Sequence, residues 1–121
     1  MTLAQYNAVC RALPHATHVV QWGGAHVWKI GGKVFAVAGW SEGGELAVTF
    51  KCSPMSFDLL RELPGLRPAP YLASRGMKWI QRTSAVSMDD AALKDYLRES
   101  WRLASLNLPK KRQTQLGLNQ A

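Results

Sequence analysis

Between His18 and Cys52 the hydrophobic period of this chain is two, and the apolar runs are separated by glycine pairs: Gly23-Gly24, Gly31-Gly32 and Gly43-Gly44. Successive side chains of a strand point to opposite faces. Val20 and Trp22, Trp28 and Ile30, Phe35 and Val37, and then Leu46, Val48 and Phe50 therefore each mark one face of an extended segment. Tight hairpin turns need positive backbone φ, which glycine adopts without steric cost. The pattern predicts an antiparallel meander of four strands, and the apolar face of such a sheet must be covered.

The flanking segments supply that cover. Thr2 and Gln5 have capping-box spacing, and Leu3, Tyr6, Cys10 and Leu13 recur at helical intervals up to Pro14. Ser53-Pro54 reads as an N-cap with proline at the first helical position, and Pro64-Gly65 closes that helix, with Leu59, Leu60 and Leu63 expected to face the sheet. Residues 66–76 read as an ordered loop. Met77 to Thr83 reads as a fifth strand with Lys78, Ile80 and Arg82 on one face and Trp79 on the other. Ser87, with Asp90 three residues on, opens a last helix with the apolar stripe Leu93, Tyr96, Leu97, Trp101, Ala104 and Leu108, and Pro109 marks its end. The order helix, four strands, helix, strand, helix predicts an α+β domain, an antiparallel β-sheet with helices packed on one face. One domain is expected over residues 1–112, followed by a mobile tail over residues 113–121.

Composition narrows the function classes. With 47% apolar and 19% charged residues in 121, the chain is too apolar for a disordered protein and long enough for one packed core. Fifteen Lys and Arg against eight Asp and Glu leave a formal charge of +7, and residues 61–112 alone hold eleven of the bases and five of the acids. A field of that sign attracts phosphate-rich partners and weakens with salt. Cys10 and Cys52 have no disulfide or metal spacing and read as small core residues of a reducing compartment. The start of the chain lacks the charged and apolar regions of a secretion signal, and the longest apolar run, Val34 to Trp40, is too short to span a bilayer. A cytoplasmic monomer without membrane association is the expectation.

Catalytic and metal chemistry find little support. No glycine-rich phosphate cradle and no recognisable nucleophile motif is present. His15, His18 and His26 lack a further ligand cluster, so neither a metal nor another cofactor is expected. The protein is read as a non-enzyme.

The segment Gly65-Leu66-Arg67-Pro68-Ala69-Pro70-Tyr71, then Lys78-Trp79, then a helix running into Leu108-Pro109-Lys110-Lys111 resembles the MmcQ/YjbR family. Lys29-Ile30-Gly31-Gly32-Lys33-Val34-Phe35-Ala36 and Lys51-Cys52-Ser53-Pro54 fit the same pattern, and the likeness runs from about residue 3 to residue 112. The resemblance implies a frataxin-like "double-wing" fold with one sheet face open to solvent, and a DNA-binding role. Frataxins carry an acidic ridge that this chain lacks, since its first helix holds Arg11 and no carboxylate.

The residues then selected for nucleic-acid contact are Arg67, Arg75, Lys78, Trp79, Arg82, Arg98, Arg102, Lys110, Lys111 and Arg112. Several have a second reading. Arg67 can fix its own loop through an internal pair. The row Lys94, Arg98, Arg102 can be offset by Asp90, Asp95 and Glu99. One cation of the Lys110-Lys111-Arg112 cluster can serve the end of the preceding helix. Trp101 reads as core, whereas Trp22, Trp28 and Trp40 read as either core or stacking platforms. The expected ligand is nucleic acid, DNA before RNA, bound without catalysis. The alternative is a domain that binds an acidic protein or an anionic small ligand.

Overall fold

The computed structural model describes residues 1–41, 43–72 and 76–120. Helix α1 (Leu3–Arg11) leads into strands β1 (Ala16–Gln21), β2 (Ala25–Ile30), β3 (Lys33–Ala38) and β4 (Val48–Lys51). Helix α2 (Pro54–Leu60), strands β5 (Leu66–Pro68) and β6 (Trp79–Arg82), and helices α3 (Asp90–Ser105) and α4 (Lys110–Leu116) complete the chain. The sheet has six strands in the order β1-β2-β3-β4-β6-β5, and every pairing is antiparallel.

The caps follow the local chemistry. The Gln5 amide donates to Thr2 Oγ1 at 3.1 Å while the Thr2 amide donates to Gln5 Oε1 at 2.8 Å, the reciprocal bonds of a capping box. Ser53 Oγ accepts from the Ser56 amide at 3.1 Å ahead of Pro54. The third cap is Asp89 rather than Ser87, because its carboxylate takes the Ala92 amide at 2.8 Å.

Helix α3 lies across β3 and β4 and carries Leu93 and Leu97 into a core with Tyr6, Trp28, Ile30, Phe35, Phe50 and Ile80, while α1 packs beside it. The register of β2 on β3 shifts between Trp28 and Lys29, which leaves Phe35 without a partner in the ladder. Buried Ser100 repairs this place. Its hydroxyl donates to the Phe35 carbonyl at 2.6 Å and accepts the Lys51 amide at 2.8 Å, tying α3 to two strands.

Four expectations need correction. The stretch read as a loop from residue 66 begins with an edge strand, β5, where Pro68 removes no bond that the sheet needs. In α2 it is Phe57 and Leu60 that face inward, while Leu59 is 68% exposed and Leu63 is also exposed, since helical rather than adjacent spacing decides the buried side. The second sheet face is covered rather than open: Val27, Val37, Thr49, Trp79 and Gln81 are all buried there. Trp40 packs over the valines, and the Gly39 and Trp40 carbonyls sit on the Gln81 side-chain amide at 3.4 and 3.2 Å. Lastly, residues 113–118 are an anchored helix end and not a loose tail. Leu118 is buried in the main core, its amide reaches back to the Gln113 carbonyl at 2.8 Å, and Gly117 holds the left-handed φ of 69° that this helix stop requires. Buried Gln113 donates to the carbonyls of Leu106 and Leu108, which a polar, aperiodic sequence does not advertise.

Candidate functional site

The antiparallel registers bring three strand lysines, and Lys78 just ahead of β6, to one end of the sheet. Ile30 faces Lys33 and Lys29 faces Val34 across the β2–β3 hairpin, Lys51 faces Trp79 across β4–β6, and the Cys52 amide bonds the Lys78 carbonyl. Lys29, Lys33, Lys51 and Lys78 therefore occupy one end of the sheet. Leu108 packs against the Gly31 turn at that same end, where a Cβ on Gly31 would meet its side chain at 2.8 Å, so the exposed cluster Lys110, Lys111 and Arg112 follows two residues beyond. Among the described residues none of these seven cations forms an ion pair. Lys78 instead rests over the Phe57 ring, 4.9 Å from its centroid. Burial, and then the charge of Lys33, hold the Lys51 ammonium below the usual lysine range.

Several carboxylates gather elsewhere. Glu45 lies in the β3–β4 connection at the opposite end, and Asp89 and Asp90 open α3 there. The Asp90 carboxyl is held below the usual range by hydrogen bonds from Arg82 and then the N-terminal ammonium. Asp95 and Glu99 are occupied by Arg98 at 3.1 Å and Arg102 at 2.5 Å.

Of the residues selected from the sequence, Lys78, Lys110, Lys111 and Arg112 come together at the basic end. Arg82 does not. It is 1% exposed and donates to the Met88 carbonyl at 2.9 Å and to Asp90 Oδ1 at 3.0 Å, because its strand parity turns it under α3. Trp79 is 3% exposed, so it presents no stacking face to a polymer. Arg67 is half-buried and donates from Nε to Gln81 Oε1 at 2.6 Å across β5–β6, the internal bond of its second reading. Arg98 and Arg102 stay exposed on α3 but within their ion pairs, whereas Asp90 turns to Arg82 and not to Lys94. Arg75 lies outside the described residues. Lys110 to Arg112 open α4 instead of ending α3, so the helix dipole there does not favour them.

Lys29, Lys33 and Lys51 stand in the first half of the chain, away from the charge excess of residues 61–112 that points to the other cations. The signal was present: Lys29 and Lys33 flank the Gly31-Gly32 turn, and a meander returns Lys51 to the same end.

Three exposed or half-buried aromatics form a second feature. Trp22 stacks on Trp40 with centroids 5.8 Å apart, and Tyr71 meets Trp40 edge-on at 5.4 Å. All three have left-handed φ, 55°, 59° and 66°, a conformation costing bulky residues about 1–3 kcal/mol each. With Leu72 they line a groove of about 430 Å³. A neighbouring cavity of about 320 Å³ shares Trp22 and Leu72 and reaches Lys33, Lys51, Trp79 and Asn107. Trp28 is core, its indole donating to Asn7 at 2.9 Å, and Trp101 is half-buried with its indole on the Pro14 carbonyl.

No three His, Cys, Asp or Glu side chains are grouped for a metal among the described residues, and no helix there is long and apolar enough to cross a membrane. Both thiols are buried and pushed up, Cys10 to about 12 and Cys52 to about 11.

A six-stranded antiparallel sheet covered by helices, with seven cations at one end, defines a small α+β domain. The YjbR family model matches residues 11–103, and the chain belongs to that family. The crystal structure of Deinococcus radiodurans protein DR2400, a DUF419 domain, has the same fold, with a TM-score of 0.83 at 23% identity over 97% of this chain and 88% of that one. No curated protein matches the chain.

Proposed function

We propose that this protein is a non-catalytic nucleic-acid-binding domain, DNA before RNA, that grips the phosphate backbone with the basic end of its sheet. One observation carries the reading: Lys29, Lys33 and Lys51 share one end of neighbouring strands with Lys78, just ahead of β6, and with Lys110, Lys111 and Arg112, and none has a carboxylate partner among the described residues. Unneutralised cations held close together repel one another, and a polyanion removes that cost while releasing its own counterions. The buried, raised thiols and the carboxylates engaged in caps and pairs favour binding over catalysis.

A mobility-shift titration on duplex DNA, single-stranded DNA and RNA at two salt concentrations tests it. Binding that weakens steeply with salt is expected, with DNA bound more tightly than RNA. Absence of any shift at low salt, alongside capture of an acidic protein by the same lysines, would replace this reading with the protein-interaction one.

A further inference from the structure

We propose that the groove formed by Trp22, Trp40, Tyr71 and Leu72 is a nucleotide site, in which an unpaired base lies on the aromatic rings and its phosphate reaches Lys33 and Lys51. The inference rests on the nucleic-acid reading above and adds to it a preference for unpaired strands.

The arrangement of rings comes first. Trp22 is 49% exposed and Tyr71 69% exposed, yet both are drawn onto Trp40 by backbone that bulky residues rarely adopt. A core built only for stability has no use for three left-handed aromatics at a surface, whereas a site that must present ring faces does. The groove, about 430 Å³, lies within the range of small-molecule sites.

The neighbouring charge then selects among ligands that aromatic rings accept. A cage of aromatics alone would suit a quaternary ammonium through cation–π attraction. Here the adjoining cavity shares Trp22 and Leu72 with the groove and is lined by Lys33 and Lys51, which disfavours a cationic guest and favours an anionic one. Trp79 lines that cavity too, and its indole N–H is buried without a hydrogen-bond partner among the described residues. A planar ring joined to an anionic group is the chemistry of a nucleotide. A base inside a duplex is stacked on both faces, so only an unpaired base or a free nucleotide can use the groove.

The experiment follows tryptophan fluorescence and affinity with three probes: a short oligothymidylate, free adenosine monophosphate and a blunt duplex. The proteins are the full chain and its Trp22→Ala, Trp22→Phe and Tyr71→Ala variants, the last at a side chain too exposed to unfold the domain. Each alanine variant is expected to lose about tenfold in affinity for the oligothymidylate, with Trp22→Phe retaining most of it and the duplex affinity unchanged. Quenching by the mononucleotide as well would identify a site for free nucleotides, and quenching by the oligonucleotide alone a site within a strand; either supports the proposal. If duplex binds but the ring variants leave oligothymidylate affinity unchanged, the groove is not a nucleotide site and the phosphate-gripping reading survives alone. If neither unpaired probe binds, the proposal fails whatever the duplex does.

Discussion

Replacing Arg82 separates a structural cation from a binding one. Its guanidinium is 1% exposed and makes two bonds, to the Met88 carbonyl at 2.9 Å and to Asp90 at 3.0 Å, which clamp β6 to the start of α3. Arg82→Ala removes both, empties a large volume and leaves the Met88 carbonyl without its donor. The emptied volume and the stranded carbonyl together cost about 3–5 kcal/mol. An unfolding entropy of about 2.1 cal/mol/K per residue gives roughly 0.25 kcal/mol/K for 121 residues, so Tm should fall by about 12–20 °C. Arg82→Met refills the volume. Asp90 is 44% exposed and stays hydrated, and Arg82 Nε has no partner to lose, so less than about half of the alanine loss is expected. Thermal melts followed by circular dichroism give both numbers, and affinity for duplex DNA, measured below the melting range, should not change in either variant. A Tm within about 3 °C of the wild type combined with weakened DNA binding would show that Arg82 works at the surface and that the reasoning is wrong.

Ser100→Ala strands the Phe35 carbonyl and the Lys51 amide together and should cost about 2 kcal/mol in a urea titration, with an unchanged m-value. Leu118→Ala should cost about 2–3 kcal/mol, and truncation after Arg112 more, whereas a loose tail would leave the melt unmoved. On the acid side, His18 Nε2 lies 3.0 Å from His26 Nδ1, so one ring must be neutral to accept; burial, then His26, then Arg11 hold the His18 pKa below its ordinary value. The unfolded chain therefore binds the proton more readily. The contribution is complete above about pH 6.5 and lost as pH falls through the folded value, so melts from about pH 8 to pH 5 should show a smaller acid loss in His18→Gln than in the wild type.

The meander was legible because its signal is local and repeated: period-two apolar runs divided by glycine pairs leave one arrangement of β1 to β4. The caps Thr2 and Ser53 were legible for the same reason, as each satisfies an amide three residues away. What sequence could not show depends on distant partners. Strand β5 is three residues long and exists only because β6 offers it a ladder. Helix α4 looks polar throughout, and its anchors, Gln113 on two carbonyls and Leu118 in the core, are meaningful only once α3 ends beside it. For the candidate site, composition showed the sign of the charge but not its place. Arg82 and Lys78 have the same parity, and α3 decides that Arg82 is buried while Lys78, just ahead of β6, stays exposed at the sheet end. The aromatic groove brings together Trp22, Trp40 and Tyr71 from three separate connections, a coincidence that no single stretch of chain contains.

The central claim is that the cations at one end of the sheet hold phosphates together, and the salt dependence of duplex affinity tests it most directly. Five to seven engaged phosphates predict a slope of log K against log salt of about −4.5 to −6.3. Neutralising Lys33, Lys78, Lys110 and Lys111 to glutamine should flatten that slope by about 3 to 4, while Arg98→Gln with Arg102→Gln, on the ion-paired face of α3, should leave it in place. A flat wild-type response, or an equal loss from the α3 pair, would contradict the account.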